Sequence, residues 1–480
     1  MGTRPEQFPV PHPRGPLHIP IPHEELVRSL AEAVSRAGGR GLVVGGCVRD
    51  ALMGERPGDA DLEVFGIPPA QLQQIAEQFA RTHLVGRFFG VLKVGPLDVS
   101  IPRRRSPGGR AGFQASDPHM TLAEAARRRD FTVNALAWDP LDGTLYDPTG
   151  GVADLEAGLL RAVAPDTFVE DPVRALRAVR FAARFPLEPT PETRNLCRIL
   201  APRLQEAPRE RIFGELKRLL LEGRRIGFGL DLAMHMGIVA SLWPELEALK
   251  GCPQDPIWHP EGDVWTHTCL ASDVAGKERT GLDADDLRVG LAVLFHDLGK
   301  PATTQVTPSG RIHTHGHERV GSKLAGQVMG RLTNEKDLIE DVCRLVHYHL
   351  APTAFFQQRV PDRTIRKLSA RVRIGLLARV ARADLLGRTS DEARRGACPA
   401  VTWLLERAEA LQVTDGRPRP ILSGRHLLEL GVEPGPTVGA LLRDLYSRQL
   451  DGEFSDLASG LEVAKVLVRA TTGKTPSQDN

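Results

Sequence analysis

The spacing of apolar residues divides the chain into a mixed first part and a helical remainder. Recurrence at every third or fourth position predicts helices, whereas β-branched runs and strict alternation predict strands. In the first part, helices are predicted over Glu24–Ala37, from Arg49 to Met53 and over Gln71–Thr82, and strands over Leu42–Val44, Asp61–Phe65, Val91–Val94 and Leu97–Ile101. From about Thr167 to Leu467, helical spacing rich in Leu, Ala and Arg dominates. We therefore predict an α+β fold, in which a mixed sheet with helices precedes an all-α remainder.

Breaks rich in proline and glycine subdivide the helical part near residues 250–262, 306–310 and 415–424. A chain of 480 residues is long enough for two to four domains, and no fixed-period repeat is evident. The predicted division is a proline-rich arm (1–24), a mixed head (25–165) and three helical regions (166–250, 251–395 and 396–480).

Net charge at first argues against a nucleic-acid partner, because 62 basic residues nearly balance 60 acidic ones. The balance is uneven along the chain, however. Residues 81–130 hold ten Lys and Arg against four Asp and Glu, and residues 161–225 hold fourteen against nine. Phosphate groups respond to such a local excess, so the charge pattern is compatible with a nucleotide or RNA partner.

Cysteine usage and hydropathy bear on the compartment. The six cysteines include no C-x-x-C pair, which favours a reducing cytoplasm over a disulfide framework or a zinc ribbon. The N-terminal sequence lacks the apolar core of a signal peptide, and no apolar run approaches the roughly 20 residues of a membrane span. We therefore predict a cytoplasmic protein without membrane attachment.

Two short motifs in the head suggest phosphate and metal binding. Gly45-Gly46 stands between a predicted strand and a helix, where bare backbone N–H groups can approach a triphosphate, although a simple turn has the same sequence. In Asp59-Ala60-Asp61 the two carboxylates point to one face at the start of a strand. Paired carboxylates bind hard divalent cations, and the alternative is a solvated acidic turn.

Arginine-rich segments follow the two motifs. Arg127 to Arg129 lead into an apolar stretch that must be buried, which would fix the arginines relative to a core. Further along, Asp171 is predicted as the N-cap of a helix that begins at Pro172. Arginines recur on one face of this helix, at Arg174, Arg177, Arg180 and Arg184. Guanidinium groups suit phosphate recognition, although a solvated surface helix would show the same stripe.

A second group of polar residues suggests a metal site in the helical part. His267 is followed by His296-Asp297, by a series of histidines and then by Asp384. Imidazole and carboxylate together suit divalent transition metals, and an open coordination position would lower the pKa of bound water for attack on phosphate. Weaker candidates for the same site are His317 and His347.

Taken in order, the motifs GGCVRD, DAD, RRRDFTVNA and EDPVRALRAVRF resemble those of the bacterial tRNA nucleotidyltransferase and poly(A) polymerase family, over roughly residues 25–250. The resemblance implies a polymerase-β-like nucleotidyltransferase head followed by a helical neck, body and tail. It implies Mg²⁺ on Asp59 and Asp61, with Asp98 as a third catalytic carboxylate. The nucleotide-binding residues that it implies are Gly45, Gly46, Arg49, Arg128, Arg129, Asp130, Asn134, Glu170, Asp171, Arg174 and Arg177.

Within that set, the resemblance makes Glu170, Asp171 and Arg174 a protein template that pairs with the Watson–Crick edges of CTP and ATP. The segment between Ile101 and Leu122 takes the place of the family's flexible loop. The partners implied are CTP, ATP and tRNA, whose backbone phosphates the helical half would bind. Full CCA addition, CC-only addition, A-only addition and poly(A) synthesis share these motifs and stay open.

The histidine series resembles the HD phosphohydrolase superfamily over about residues 260–390. This implies that His267, His296, Asp297 and Asp384 hold a divalent transition metal such as Ni, Mn or Co. Fused to a nucleotidyltransferase head, it resembles the multifunctional CCA-type proteins, whose HD unit is associated with phosphatase, 2′-nucleotidase or 2′,3′-cyclic phosphodiesterase activity. The competing functions are a metal-dependent phosphohydrolase with an RNA-binding head and a non-catalytic RNA-binding protein; intact aspartates and template motif favour nucleotide addition.

Overall fold

The computed structural model describes residues 18–85, 91–105 and 114–472, so most of the proline-rich arm and the middle of the predicted flexible loop lie outside the described residues. The chain forms two compact units. The first runs to Ala207 and includes His235–Ser241, and the second comprises Pro208–Met234 and the chain from Leu242 onward. The finer division into five regions stays a prediction.

A seven-stranded mixed sheet forms the centre of the first unit, with the order β3-β4-β5-β2-β1-β8-β9. Strands β2 and β5 run parallel, whereas the other neighbouring pairs are antiparallel. A separate hairpin pairs β6 with β7. The strands are β1 (Arg40–Val44), β2 (Asp61–Phe65), β3 (Thr82–Val85), β4 (Val91–Val94), β5 (Leu97–Ser100), β6 (Arg103–Arg105), β7 (Gln114–Ser116), β8 (Ala137–Trp138) and β9 (Leu145–Tyr146).

Helices of the first unit cover the sheet and extend beyond it. The apolar stripe of the first helix, which includes Val27, Leu30 and Val34, is buried in one core with residues of the sheet. The helices are α1 (Glu24–Arg36), α2 (Gly46–Leu52), α3 (Pro69–Ala76), α4 (Leu122–Ala126), α5 (Gly151–Glu156), α6 (Pro165–Glu170), α7 (Arg174–Arg184) and α8 (Pro191–Leu200), and two short strands, β10 (Leu159–Leu160) and β11 (Glu188–Pro189), pair in parallel.

Three local predictions were wrong. Helix α3 ends at Ala76, six residues before the predicted end, because Thr82–Val85 pairs with β4 at the edge of the sheet. Helix α2 begins at Gly46 rather than Arg49. Asp171 is not an N-cap: it is the C-cap that follows α6, and α7 begins three residues later at Arg174.

The remainder of the chain is helical apart from one hairpin that the sequence analysis missed, formed by β12 (Gln305–Val306) and β13 (Ile312–His313). The helices are α9 (Arg209–Glu222), α10 (Ile226–His235), α11 (Ile238–Leu242), α12 (Pro244–Glu247), α13 (Val264–Lys277), α14 (Asp283–Phe295), α15 (Lys300–Thr303), α16 (His317–Leu332), α17 (Lys336–Tyr348), α18 (Ala351–Gln358), α19 (Asp362–Ser369), α20 (Ile374–Gly387), α21 (Asp391–Arg394), α22 (Pro399–Ala410), α23 (Gly424–Glu429), α24 (Pro436–Asp451) and α25 (Leu457–Thr472).

Packing in the second unit brings distant segments together. Helix α13 packs against α14 and α20, while α14 and α16 both pack against α17. The last helices, α23 to α25, have a small core of their own that includes Leu427, Leu445 and Phe454. Among the described residues, no helix has both the length and the apolar character that crossing a bilayer requires.

The mixed sheet of the first unit and the helices that follow it confirm the prediction of an α+β fold with a helical remainder.

Candidate active sites

Three carboxylates lie near one another at the start of two central strands of the head sheet. Strands β2 and β5 pair in register with Asp61 beside Asp98, so the two side chains leave the same face. Asp59 is exposed two residues before Asp61. Burial, with the nearby charges of Asp59 and Asp98, raises the pKa of Asp61 to about 6. Such mutual repulsion is what a bound divalent cation relieves, so the three residues fit a cation site.

A lysine that the sequence analysis missed faces this cluster. Lys93 Nζ lies 2.6 Å from Asp98 Oδ1, and this contact raises the pKa of the lysine. The tight turn at Gly95 and Pro96 fixes the antiparallel register that places Lys93 opposite Asp98. The short hairpin loop could have revealed Lys93 from the sequence, because a two-residue turn determines which strand residues pair.

The glycine turn lies next to the same carboxylates. Strand β1 ends at Val44, which pairs with Asp61, and Gly45 follows with a φ of 73° before α2 begins at Gly46. Glycine adopts this left-handed conformation without strain. A Cβ on Gly45 would lie 3.6 Å from Arg129 Nη1, so the turn and the arginine segment border one space.

Arg49 is engaged within the protein. Its buried guanidinium donates hydrogen bonds to the carboxylate of Asp50 and to the side-chain oxygen of Asn134. The guanidinium carbon lies 4.4 Å from the ring centre of Phe185 and 5.0 Å from that of Phe181, which are cation–π distances. These contacts anchor α2 to α7.

The Arg128-Arg129-Asp130 segment lies between the carboxylates and α7. Arg129 donates to Glu63 Oε2 over 3.0 Å. Buried Asp130 accepts hydrogen bonds from Asn134 Nδ2 (2.9 Å) and from Arg177 Nε (2.7 Å). Although burial acts in the opposite direction, Arg177 and Asn134 hold the pKa of Asp130 below its usual range.

The predicted template residues lie at the junction of α6 and α7. Arg174 donates from Nη1 to the carbonyl of Arg129 and from Nη2 to that of Arg128, each over 2.8 Å. Burial lowers the pKa of Arg174 despite the opposing charges of Asp130, Asp171 and Glu170. Arg174 thus fixes the junction of α6 and α7, here called the template junction, to the Arg128–Asp130 segment.

In the second unit, histidines and carboxylates form three groups of possible metal ligands, and within each group the ligand atoms lie within 4.8 Å of one another. Two of them are fully buried: the first is His267, His296 and Asp384, and the second is Asp297, His317 and His349; the third joins His267 to the half-buried His259 and Glu261. Asp297 connects the two buried groups, because its Oδ2 lies 3.1 Å from His296 Nε2 and its Oδ1 lies 3.4 Å from His317 Nε2. All six side chains of these two groups are buried.

The hydrogen bonds of the four rings orient them as metal ligands. His296, His317 and His349 each direct Nδ1 to a backbone carbonyl oxygen over 2.7 Å, and His267 Nδ1 lies 2.8 Å from a carboxylate oxygen of Glu261. Since these acceptors carry no proton to donate, each ring presents an unprotonated Nε2 to the cluster in the neutral state.

Several buried polar atoms in the cluster have charged neighbours but no well-aligned hydrogen bond. Among the described residues, these include His267 Nε2, His296 Nε2 and Asp297 Oδ2, whose close contacts are the ion pairs with Asp384, with each other and with Lys300. Leaving such atoms unsatisfied is costly unless something binds them. The donor set and its orphaned atoms therefore fit one or more divalent metal ions.

The structure brings together the four residues that the sequence predicted as metal ligands, together with one of the two weaker candidates and one histidine that was not a candidate. His317, a weaker candidate, belongs to the second group, but the other weaker candidate, His347, does not: its neighbour two positions on, His349, occupies that place. His349 continues the buried stripe of α17, which includes Val342 and Val346. That helical periodicity was the signal that could have separated the two histidines.

A cavity of about 300 Å³ opens beside the six residues. Lys300 and Arg388 supply positive charge at its wall. Lys300 Nζ lies 2.7 Å from Asp297 Oδ2, and Arg388 Nη2 lies 3.1 Å from Asp384 Oδ1. His296 and Lys300 hold the pKa of Asp297 well below its usual range, although burial alone would raise it.

Substituting Gly299 with Ala is expected to weaken metal binding in the second unit at least tenfold. A Cβ at Gly299 would lie 2.1 Å from the carbonyl oxygen of His317, so α16 would have to move and take the His317 ring with it. Overpacking of this kind lowers the free energy of unfolding by about 1–3 kcal/mol. The matched control is Gly330→Ala in α16, where an added Cβ would have no atom within 4 Å. Metal titration by calorimetry compares the two variants, and equal affinities would contradict the prediction.

Comparison with known proteins identifies the domains in which the two carboxylate and histidine clusters lie. Residues 42–161 match the poly A polymerase head domain, residues 187–250 the probable RNA- and SrmB-binding site of polymerase A, and residues 264–386 the HD domain. The fold and the two sites thus define a nucleotidyltransferase that also carries an HD domain.

Two similar proteins show to which family within this class the chain belongs. The chain is 42% identical over 316 residues to the multifunctional CCA protein of Stenotrophomonas maltophilia R551-3, covering 63% of this chain and 74% of that protein. It is 37% identical over 367 residues to the multifunctional CCA protein of Xylella fastidiosa 9a5c, covering 73% and 84%. The chain belongs to the family of multifunctional CCA proteins.

Solved structures share the fold at lower identity. The CCA-adding enzyme of Bacillus stearothermophilus in complex with CTP superposes with a TM-score of 0.64 at 21% identity, covering 93% of this chain and 98% of that one. The Thermotoga maritima CCA-adding enzyme complexed with tRNA gives 0.57 at 20% identity, covering 92% and 95%.

Proposed function

We propose that the head adds C, C and A to the 3′ end of tRNA from CTP and ATP, without a nucleic-acid template. The observation that carries this proposal is the register that sets Asp61 beside Asp98, next to the glycine turn and the template junction. In each step the terminal hydroxyl oxygen bonds to the α-phosphorus, the bond to the bridging oxygen breaks, and pyrophosphate leaves while the hydroxyl proton passes to solvent. With tRNA as its substrate, the protein would act in the cytoplasm.

Asp59, Asp61 and Asp98 would hold Mg²⁺, a hard cation that prefers carboxylate oxygens. When bound, Mg²⁺ promotes ionisation of the terminal hydroxyl and neutralises the charge of the triphosphate. Gly45 and Gly46 leave room for phosphates at the turn, and Arg128 and Arg129 add positive charge beside them. Lys93, paired with Asp98, offsets part of the negative charge before the cation binds.

Nucleotide selection would fall to Glu170, Asp171 and Arg174. Carboxylates accept hydrogen bonds from the exocyclic amines that C and A share, and a guanidinium donates to ring acceptors. Arg174 uses one N–H of each terminal nitrogen on a backbone carbonyl, which leaves three of its five N–H groups for a base. Arg177, held by Asp130, would position the helix rather than touch the nucleotide.

The nearest alternative is poly(A) synthesis, because the head model that matches is shared with poly(A) polymerases. Purified protein is incubated separately with tRNA lacking CCA, tRNA ending in C and tRNA ending in CC, each with CTP or ATP alone. We expect CTP to extend the first two substrates and ATP to extend only the third. Extension of all three by ATP would overturn the proposal.

For the second unit we infer a metal-dependent phosphohydrolase. The six buried ligands would hold a divalent transition metal such as Ni, Mn or Co, whose affinity for imidazole exceeds that of Mg²⁺. With a 2′,3′-cyclic nucleotide, water oxygen would bond to phosphorus, one ring P–O bond would break, and the water proton would end on the freed hydroxyl. Phosphomonoesters and cyclic phosphodiesters are assayed with each metal; no hydrolysis with any of them would refute this assignment.

The raised pKa of Asp61 predicts that Mg²⁺ binding depends on pH. The cation needs the ionised carboxylate, so its affinity should fall about tenfold per unit as pH drops below about 6. The raised pKa also means that the metal-free head gains stability on protonation and loses it as pH rises through about 6. Added Mg²⁺ should therefore raise the melting temperature more at pH 7.5 than at pH 5. Mn²⁺ binding measured by electron paramagnetic resonance, taken as the difference between the native protein and Asp61→Asn so that Mn²⁺ in the second unit cancels, checks the first expectation, and equal affinity at both pH values would contradict it.

A further inference from the structure

The cavity beside the HD ligands has walls of different chemistry. Its floor carries metal-ligand side chains, including Asp297 and Asp384, and Lys300 and Arg388 contribute cations. The outer part is lined by apolar side chains, among them Trp258 and Leu350. A binding site with one charged end and one apolar end suits a ligand of the same character.

The size of the cavity points to more than a phosphate group. Its volume of about 300 Å³ lies at the lower end of the range for organic ligands. A phosphoryl group at the floor would face Lys300 and Arg388, and it would leave the apolar part to the group that it esterifies. The Nε atom of Arg388 is buried and, among the described atoms, lacks a hydrogen-bond partner, so this donor is available to a phosphate oxygen.

Trp258 is the large aromatic side chain at the apolar end. It is 57% exposed, which is unusual for so large an apolar surface. Its side chain lines the cavity and also a smaller pocket of about 190 Å³ that Arg388 borders. An exposed indole at the mouth of a polar site is a surface on which a nucleobase can stack.

We propose that Trp258 is the base-stacking, specificity-determining residue of the HD cavity when a nucleotide phosphoester is bound there. The base lies on the indole, and the phosphate faces Arg388 and Lys300. This proposal rests on the phosphohydrolase activity inferred above for the same site. It adds which residue selects the substrate and which part of the substrate is recognised.

Steady-state kinetics with two cyclic phosphodiesters tests the proposal. Adenosine 2′,3′-cyclic phosphate carries a base, whereas glycerol 1,2-cyclic phosphate offers the same reacting group without one. For Trp258→Ala we expect KM to rise about tenfold for the adenosine substrate, with kcat nearly unchanged and with both constants unchanged for the glycerol substrate. Trp258→Phe should restore most of the affinity, because a phenyl ring still stacks.

Ile257→Ala is the matched control. Ile257 is 67% exposed and borders the smaller pocket but not the cavity, so its loss should change neither substrate's KM. An equal rise in KM for both substrates in Trp258→Ala, or the same rise in Ile257→Ala, would overturn the proposal.

A binding measurement separates this proposal from the hydrolytic function on which it rests. Calorimetry with adenosine 2′-monophosphate and with inorganic phosphate, each titrated into protein without added transition metal, measures binding without turnover. We expect Trp258→Ala to weaken only the nucleotide, again about tenfold. If the native protein hydrolyses neither ester but shows this selective binding, the hydrolytic assignment fails and the role of Trp258 stands. If the nucleotide binds both proteins equally, the role of Trp258 fails.

Discussion

Asp61→Asn is expected to reduce nucleotide addition on the order of a thousandfold. Asn keeps the shape of the side chain but removes the charge that a divalent cation requires, and several kcal/mol of transition-state stabilisation are lost with that cation. Single-turnover extension of tRNA ending in CC with ATP measures the effect. The matched control is Asp142→Asn, an exposed head carboxylate whose hydrogen bond to the Thr144 backbone N–H lies in a turn; it should retain full activity.

Stability measurements separate loss of chemistry from loss of fold. Burial and the charge of Asp59 disfavour ionised Asp61 in the metal-free protein, so the Asn variant should unfold with an unchanged or higher free energy at pH 7.5. Added Mg²⁺ should no longer raise its melting temperature. Addition at more than a tenth of the native rate would refute the role assigned to Asp61.

Asp297→Asn is expected to abolish metal retention in the second unit and to reduce phosphoester hydrolysis on the order of a thousandfold. The effect should be large because the carboxylate of Asp297 faces His296 with one oxygen and His317 with the other, so the second ligand group loses a member and the first loses the charge that faces His296. Metal content after dialysis and the rate of cyclic phosphodiester hydrolysis are measured together.

Asp283→Asn provides the control for this variant, because Asp283 lies in the first turn of α14 in the same unit and is exposed. It should retain metal and activity. Addition of C and A should be unchanged in Asp297→Asn, since its head residues are untouched. Full hydrolysis by Asp297→Asn would contradict the metal-ligand assignment.

The sequence predicted the head sheet well where local pattern and pairing agree. Strand β2 was predicted with its observed bounds because polar and apolar residues alternate along it. The prediction failed at α3, where helical spacing continues past Ala76 but the chain turns to pair Thr82–Val85 with β4. Strand pairing there outweighed the local helical pattern, and the spacing of one segment carries no information about a partner.

Some side-chain positions in the sites could not be predicted because the atoms that they bind are backbone atoms. Arg174 binds the carbonyl oxygens of Arg128 and Arg129, and every residue type carries such an oxygen, so the sequence does not show which one is used. The ring orientation of His296 likewise depends on the carbonyl of Val293. By contrast, His349 could have been chosen over His347 from the buried stripe of α17.

Sequencing of RNA 3′ ends tests the central claim most directly. A tRNA transcript lacking CCA and an unrelated RNA of similar length are incubated together with the protein, CTP, ATP and Mg²⁺, and the ends of all products are read. The account predicts that the tRNA gains C, C and A and then stops, while the unrelated RNA stays unextended. Long adenosine tails on both RNAs would contradict it and would identify the head as a poly(A) polymerase.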